Sequence, residues 1–259
     1  NNNSRRKQRS IAPPNPYLLQ TTQQLLDSEP GSLTNGKWHE VVSLMTAWSK
    51  RVNHYHYNSN YDYISSNNNN KENAQTTAPS APVVLESLLK RLIDERRAGN
   101  EAARPSAYEY NMVISAWAEV AQQQRNKKNG KLAAERALYI LRLLQRAHDE
   151  EKRPELLPTS FSFTKVLAAL SHAKDHGKAK TTLRWMEALY ERNLNRNAKP
   201  NESAYTYVLN SIADSGEATA GIEAEQLLQH MNATEYGVEP KTLHYTVAIK
   251  AWMRQESRQ

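Results

Sequence analysis

The chain has 259 residues, of which 39% are hydrophobic, so it is long enough to bury a substantial core. It contains no cysteine, which excludes disulfides, a thiol nucleophile and cysteine-ligated zinc sites. The net charge of +7 favours an anionic partner such as nucleic acid, an anionic membrane or an acidic protein. No apolar stretch approaches the ~18 residues of a membrane span, so no membrane-spanning segment is predicted and we expect no membrane partner.

The N-terminal residues 1–33 form a basic, Asn-rich tail with a possible partial repeat. The partial repeat is Pro16–Asp27, where Leu18 and Leu25 lie seven positions apart. Because the chain starts in an Asn run without Met and stops just after a helix begins, we expect it to be a fragment of a longer protein.

Residues 34–106 have the pattern of a degenerate two-helix repeat. Between its helices, from about residue 53 to 82, lies an Asn-, Ser- and Tyr-rich insert that we expect to be disordered, because it buries too little apolar surface to offset the entropy of ordering it. The apolar stripes of the two helices are Val41, Leu44, Met45 and Trp48, then Leu85, Leu88, Leu89 and Leu92.

Four later segments repeat one apolar pattern, with large side chains at i, i+3 or i+4, and i+7, which is one face of an α-helix. Each segment begins with an aromatic anchor, and we expect the anchors, together with Trp117 and Trp252, to lie in the core. We term these segments the A helices. They begin at Tyr110, Phe163, Tyr205 and Tyr245.

A second apolar stripe follows each of the first three A helices, at 137–144, 179–186 and 224–231, and we term these segments the B helices. A proline lies five residues before every aromatic anchor, and because proline lacks an N–H we expect it to close the preceding B helix. These prolines are Pro105, Pro158, Pro200 and Pro240. The predicted units are 107–159, 160–201, 202–241 and, as the first helix of a truncated repeat, 242–259.

The unit is therefore helix A, turn, helix B and a loop ending in proline. Period-two alternation is nearly absent, so no sheet is predicted. One amphipathic hairpin cannot bury its apolar stripe alone, whereas stacked hairpins bury their stripes against each other. The sequence predicts an all-α fold, a right-handed α-solenoid of stacked helix-turn-helix repeats.

This arrangement resembles the pentatricopeptide repeat, a two-helix unit of about 35 residues. The matching residues are the helix-A openings, Tyr110-Asn111, Phe163-Thr164, Tyr205-Thr206 and Tyr245-Thr246, and the B-helix endings at 183–201 and 223–241. The related tetratricopeptide repeat, which usually binds protein, has a W-x₂-L-G-x₂-Y signature that is absent here. The resemblance implies a binder of single-stranded RNA, in a mitochondrion or plastid.

In that family, a polar residue in the first turn of helix A and the last residue of the same unit read one base. The side chain two residues after a unit's last residue sandwiches the base. For the unit 107–159, the resemblance implies base reading by Asn111 and Thr159, with Tyr108 as the sandwiching residue. Thr159 is not a typical closing residue, so no base is assigned to this unit.

For the unit 160–201, the resemblance implies Thr164 and Asn201, a combination associated with adenine, with Phe161 as the sandwiching residue. For the unit 202–241 it implies Thr206 with Lys241, again without an assigned base. The alternative is structural, because Asn and Thr near the start of a helix are often capping residues.

No catalytic constellation, phosphate-binding glycine loop or nucleophile elbow is present, so we expect no enzyme activity and no cofactor. His172 and His176 are four residues apart, but no third metal ligand follows, and Gly177 indicates the end of a helix. The cations Lys127, Lys128 and Lys131 either contact phosphates or form a solvated loop, and we favour the loop.

Two functions remain open. The first is single-stranded RNA binding in organellar RNA processing, stability or translation. The second is a helical-repeat scaffold that binds protein partners in a large assembly, such as a mitochondrial ribosome. The anchor-to-anchor distances of 53, 42 and 40 residues exceed the family's period, which puts a one-repeat, one-base code in doubt. A continuous basic groove would favour RNA, and a neutral apolar groove would favour a protein partner.

Overall fold

A computed structural model describes residues 15–33, 37–52, 80–123, 127–233 and 236–256. These residues form ten α-helices and no strand, which confirms the predicted all-α class. The helices are α1 Pro16–Asp27, α2 Trp38–Ser49, α3 Ala81–Arg97, α4 Ala107–Gln123, α5 Lys127–Glu151, α6 Ser160–His172, α7 His176–Glu191, α8 Glu202–Ala213, α9 Ala220–Ala233 and α10 Thr242–Glu256.

The chain divides into two compact units, Asn1–Ala103 and Arg104–Gln259. In the first unit, α2 packs on α3, and α1 packs on both. The indole of Trp48 is fully buried, and its Nε1 donates to the Thr22 hydroxyl at 3.0 Å, which joins α2 to α1. The hydrogen bond gives the buried indole N–H the partner that burial requires.

The second unit is built from pairs of A and B helices. Each B helix packs on the A helix before it and on the A helix after it, and successive A helices also contact each other. This pattern of neighbour contacts runs from α4 to α10. The anchors Tyr110, Phe163 and Tyr205 are almost completely buried, as predicted, within this packing.

Left-handed residues, not prolines, end the B helices. The helix α5 ends seven residues before Pro158, and Lys152 beyond it has a φ of 54°. The helix α7 ends nine residues before Pro200, and Asn193 beyond it has a φ of 55°. The expectation that proline closes helix B was therefore wrong. The proline instead lies two residues before the first residue of the next A helix.

Two predicted loops end earlier in the structure than in the prediction, because the helices that follow them begin earlier. Lys127–Lys131, expected to be a solvated loop, are the first residues of α5. Ala81 and Pro82, expected to belong to the disordered insert, begin α3, because proline is well suited to the first turn of a helix. The rest of that predicted insert, residues 53–79, lies outside the described residues, as does the basic tail of residues 1–14.

The anchor Tyr245 is 52% exposed, so its predicted place in the core was wrong, and Ile249 on the same helix is 60% exposed. The buried side chains of α10 are instead His244, Val247, Ala248 and Ala251. The physical reason is that α10 packs on α8 and α9, and within the described residues no later helix covers its opposite side.

Candidate nucleic-acid interface

Burial of the anchor stripe leaves the other side of each A helix open. The open residues recur at three positions, two before the anchor, one after it and five after it, and all are exposed or half-buried. We term this surface the A-helix open face. Its members are Tyr108, Asn111 and Ser115 on α4; Phe161, Thr164 and Ala168 on α6; Ser203, Thr206 and Asn210 on α8; and Leu243, Thr246 and Lys250 on α10.

The structure brings Thr164 and Asn201 together although they are 37 residues apart. The hydroxyl of Thr164 donates to the Ser160 carbonyl at 2.7 Å and lies 3.3 Å from Oδ1 of Asn201. The Asn201 amide donates to the Ser160 hydroxyl at 2.9 Å, while its Oδ1 accepts the backbone N–H of Ala204 at 2.9 Å. Asn201 is therefore a helix cap and a neighbour of Thr164 at once.

Asn111 and Thr159 are not joined by a hydrogen bond. The Oδ1 atom of Asn111 is buried and has no hydrogen-bond partner among the described atoms. Thr159 precedes α6, where its backbone N–H donates to the Ser162 hydroxyl at 3.1 Å and its own hydroxyl lies 3.3 Å from that of Ser162. Thr159 thus caps α6, whereas the amide oxygen of Asn111 accepts no hydrogen bond from the described residues.

Thr206 pairs with His244 rather than with Lys241. Its hydroxyl donates to the Glu202 carbonyl at 2.9 Å and lies 2.9 Å from Nε2 of His244. Nδ1 of the same ring accepts the backbone N–H of Lys241 at 2.8 Å, so a neutral ring carries its proton on Nε2 and donates it to Thr206. Lys241 points its ammonium at Glu202, 2.5 Å away.

The two aromatic residues of the open face are accessible. Tyr108 is 59% exposed and Phe161 is 51% exposed, although aromatic side chains are usually buried. The ammonium of Lys165 lies 5.5 Å from the centre of the Phe161 ring, within range of a cation–π interaction. An exposed ring beside a cation can stack with a base whose phosphate the cation attracts.

The charges along the C-terminal part of the open face are mixed and largely paired. Lys250 lies 3.0 Å from Asp214, and Arg254 also contacts this carboxylate. Partial burial alone would raise the pKa of Asp214, but the two cations outweigh it and hold the pKa below its ordinary value. The ammonium of Lys241 likewise lowers the pKa of Glu202. The open face is therefore not a continuous basic groove.

The search of protein-family models and the search of curated proteins both found no match to this chain. The resemblance to the pentatricopeptide repeat therefore depends on the repeat residues themselves.

Other kinds of site find little support in the described part of the chain. His172 ends α6 and His176 begins α7, so the two residues do not share a helix, and the helix boundary expected at Gly177 was wrong. Across the described ranges, no three His, Asp or Glu side chains are grouped as metal ligands. None of the described helices has both the length and the apolar character of a membrane span.

Three polar residues beside this surface were not predicted from the sequence, namely Ser160, Glu202 and His244. Ser160 hydrogen-bonds both members of the Thr164–Asn201 pair, and Glu202 holds Lys241. A signal for His244 was present in the sequence, because it stands at the position before the anchor, where Ser162 caps α6. Its contact with Thr206 was not readable, since that contact depends on how α10 packs on α8.

Proposed function

We propose that this chain binds single-stranded RNA through the A-helix open face, as an irregular relative of the pentatricopeptide repeat proteins with a right-handed α-solenoid architecture. The observation that supports this most is the Thr164–Asn201 pair, because two residues implied by the resemblance to read one base lie side by side on an open surface. The stepwise packing of A and B helices supports the solenoid.

The hydrogen bonds already made by the pair determine what it offers a base. The Thr164 proton is directed at protein oxygens, so its hydroxyl can only accept from a ligand. The Asn201 amide uses one N–H on Ser160 and its oxygen on Ala204, which leaves one N–H to donate. A donor beside an acceptor complements a base edge such as that of adenine, the base that the resemblance implies.

The neighbouring aromatic residue supplies the remaining element of base recognition. Phe161 is exposed, and it stands on the same turn of α6 as Thr164. Stacking on an aromatic ring adds affinity for any base, while the polar pair adds selectivity. By the same resemblance, we expect the protein to act in organellar RNA processing, stability or translation, in a mitochondrion or plastid, as a binding module and not as an enzyme.

The test is to measure how two substitutions change RNA base preference. Asn201→Asp keeps the oxygen that caps α8 but replaces the free N–H by an acceptor, and Thr164→Val removes the hydroxyl at nearly constant volume. We expect selection from a random single-stranded RNA pool to give a changed preference at one position for Asn201→Asp, and an affinity loss of about five- to tenfold for Thr164→Val.

The matched control is Thr181→Val. The Thr181 hydroxyl also donates to a carbonyl four residues earlier in its helix, at 2.9 Å, but it is exposed on α7 away from the open face. Its RNA affinity should equal that of the wild type. A folded wild-type protein that shows no binding to single-stranded RNA at low salt, or an unchanged base preference in Asn201→Asp, would contradict the proposal.

A protein partner is the second candidate, and two observations favour it. The cations at the C-terminal end of the open face are paired with carboxylates. The helix α10 also exposes Leu243, Tyr245, Ile249 and Met253. An exposed apolar surface of this kind is typical of a protein contact. Binding of a protein from a large assembly without measurable affinity for RNA would support this alternative.

A further inference from the structure

The outward side of α5 carries a group of cations that the A-helix open face does not use. The apolar stripe of this helix, which includes Ala137 and Leu141, is buried in the second unit. At 100° per residue, the outward side covers about 140° of the helix surface, and it also includes Leu132 and Glu135. We term part of this side the α5 basic face. It consists of Lys131, Tyr139, Arg142 and Arg146, which are exposed, and Arg136, which is half-buried.

Three of these cations differ from most others in the second unit. Lys178 is held by Glu135 at 2.6 Å, and Lys180 is held by Glu223 at 2.6 Å. By contrast, Lys131, Arg142 and Arg146 form no ion pair or hydrogen bond with any described residue. All three are exposed residues of the α5 basic face.

The acidic residues of α5 do not neutralise this face. Glu135 is occupied by Lys178, and Glu151 pairs with Arg153 at 3.1 Å. Asp149, which accepts a hydrogen bond from the Gln145 amide at 2.9 Å but keeps its charge, and Glu150 both lie beyond Arg146 near the end of the helix. A positive potential therefore remains over the middle of the face, where an anion is attracted most strongly.

Tyr139 lies in the middle of these cations and is 52% exposed. The guanidinium of Arg136, one turn earlier, lies 5.7 Å from the centre of its ring. An aromatic ring among arginines can stack with a nucleobase while the guanidinium groups bind phosphates. A membrane surface fits less well, because the main apolar stripe of α5 is buried and cannot enter a bilayer.

We propose that the α5 basic face is a second contact surface for single-stranded RNA. Lys131, Arg142 and Arg146 bind backbone phosphates along a span of roughly 20 Å, given a rise of 1.5 Å per residue, and Tyr139 stacks on a base. The surface supplies affinity without base selectivity, since neither contact reads a base edge. It shares no residue with the A-helix open face and does not depend on base reading there.

The experiment measures binding of the full chain to a fluorescently labelled oligouridylate over a range of salt concentrations. Each phosphate contact on a single strand contributes about 0.7 to the slope of log affinity against log salt. We expect Arg142→Gln/Arg146→Gln to lower that slope by about 1.4 and to weaken binding. The charge-matched control is Arg184→Gln/Arg192→Gln. It removes two exposed cations, one on α7 and one at the residue that follows this helix, and it should keep the wild-type slope.

Tyr139→Ala separates nucleic-acid binding from general attraction of polyanions. We expect it to lower oligouridylate affinity on the order of tenfold with an unchanged salt slope, since stacking does not release counterions. Its affinity for polyglutamate should remain that of the wild type. Equal slopes for the two double variants would overturn the proposal. An acidic-protein surface would be indicated instead if Tyr139→Ala had no effect and Arg142→Gln/Arg146→Gln weakened polyglutamate and oligouridylate equally.

The two RNA proposals fail in different ways. If Asn201→Asp leaves base preference unchanged while the α5 variants lower affinity and slope, the open-face proposal fails and the α5 basic face is retained. If the α5 variants match their control while Asn201→Asp changes base preference, the reverse holds. Circular dichroism of each variant checks that the helices are intact, which is expected because the substituted side chains of α5 are exposed and Asn201→Asp keeps the oxygen that caps α8.

Discussion

At the residue scale, the side chain immediately before each aromatic anchor has a recurring task. In three of the four A helices it accepts the backbone N–H of the residue that precedes the helix. This satisfies one of the donors that the start of a helix leaves unpaired. The three pairs are Ser106 with Glu109 at 2.7 Å, Thr159 with Ser162 at 3.1 Å and Lys241 with His244 at 2.8 Å.

His244 makes one of these caps dependent on pH. Burial lowers the pKa of His244 below its ordinary value, and the Glu202 carboxylate only partly offsets this. A protonated ring cannot accept the Lys241 N–H, so the folded state takes up this proton less readily than the unfolded state. The contribution of His244 to the free energy of unfolding is therefore complete above the ordinary histidine pKa of about 6.5, and it is lost as the pH falls below that value.

We expect the free energy of unfolding of the wild type to decrease between about pH 7 and about pH 5, and the decrease to be smaller in His244→Gln. Urea denaturation at both values measures this. The pH window lies above the range in which Glu202 and Asp214, whose pKa values are lowered, take up protons. Burial also lowers the pKa of His172, so we expect His172→Gln to make the decrease in unfolding free energy smaller as well, independently of His244→Gln. An equal decrease in wild type and His244→Gln would contradict the assignment.

At the element scale, the contact between α9 and α10 depends on a glycine. A Cβ added at Gly221 would lie 2.8 Å from Cγ and Cε3 of the Trp252 indole, closer than real Cβ contacts allow. The two helices can approach this closely only because Gly221 has no side chain. Gly221 is the second residue of α9, and a helical position otherwise favours alanine over glycine by up to about 1 kcal/mol.

We expect Gly221→Ala to destabilise the protein by about 1–3 kcal/mol despite the gain in helix propensity, because the indole of Trp252 must move. The control is Gly177→Ala in α7, where the nearest atom to an added Cβ is Oδ1 of Asp175 at 3.9 Å. That substitution should stabilise the protein by up to about 1 kcal/mol. Chemical denaturation of both variants gives the comparison, and the same sign for both would contradict the packing argument.

At the scale of the whole molecule, each of the two compact units has its own buried core. The second unit, Arg104–Gln259, contains the anchors Tyr110, Phe163 and Tyr205 together with the helices that cover them. A unit with its own core can fold without the rest of the chain.

We therefore expect the fragment 104–259 to be helical by circular dichroism and to unfold in a cooperative thermal transition. Its RNA affinity should equal that of the full chain, because every residue assigned to the A-helix open face and to the α5 basic face lies within it. A fragment that is helical but melts without cooperativity would indicate that the second unit depends on the first for its packing.

Local pattern determined most of the secondary structure. The apolar spacing after Tyr110, Phe163, Tyr205 and Tyr245 predicted four helices that the structure contains, because one turn of a helix repeats every 3.6 residues regardless of what surrounds it. Helix ends were less predictable. The prolines were assigned a role that belongs to residues such as Lys152, whose left-handed backbone has no strong sequence signal in a non-glycine residue.

The helical class and the repeated anchor could be predicted from the sequence alone, since both follow from spacing along one chain, and the resemblance to the pentatricopeptide repeat implied the positions of the candidate base-reading residues. Only the tertiary structure decided which of them meet. In the structure, Thr164 lies beside Asn201, Thr206 forms a hydrogen bond with His244, and Tyr245 is exposed. The reason is that contacts between residues roughly 40 positions apart depend on the angle and rotation at which successive A helices pack, which the apolar period of one helix does not specify.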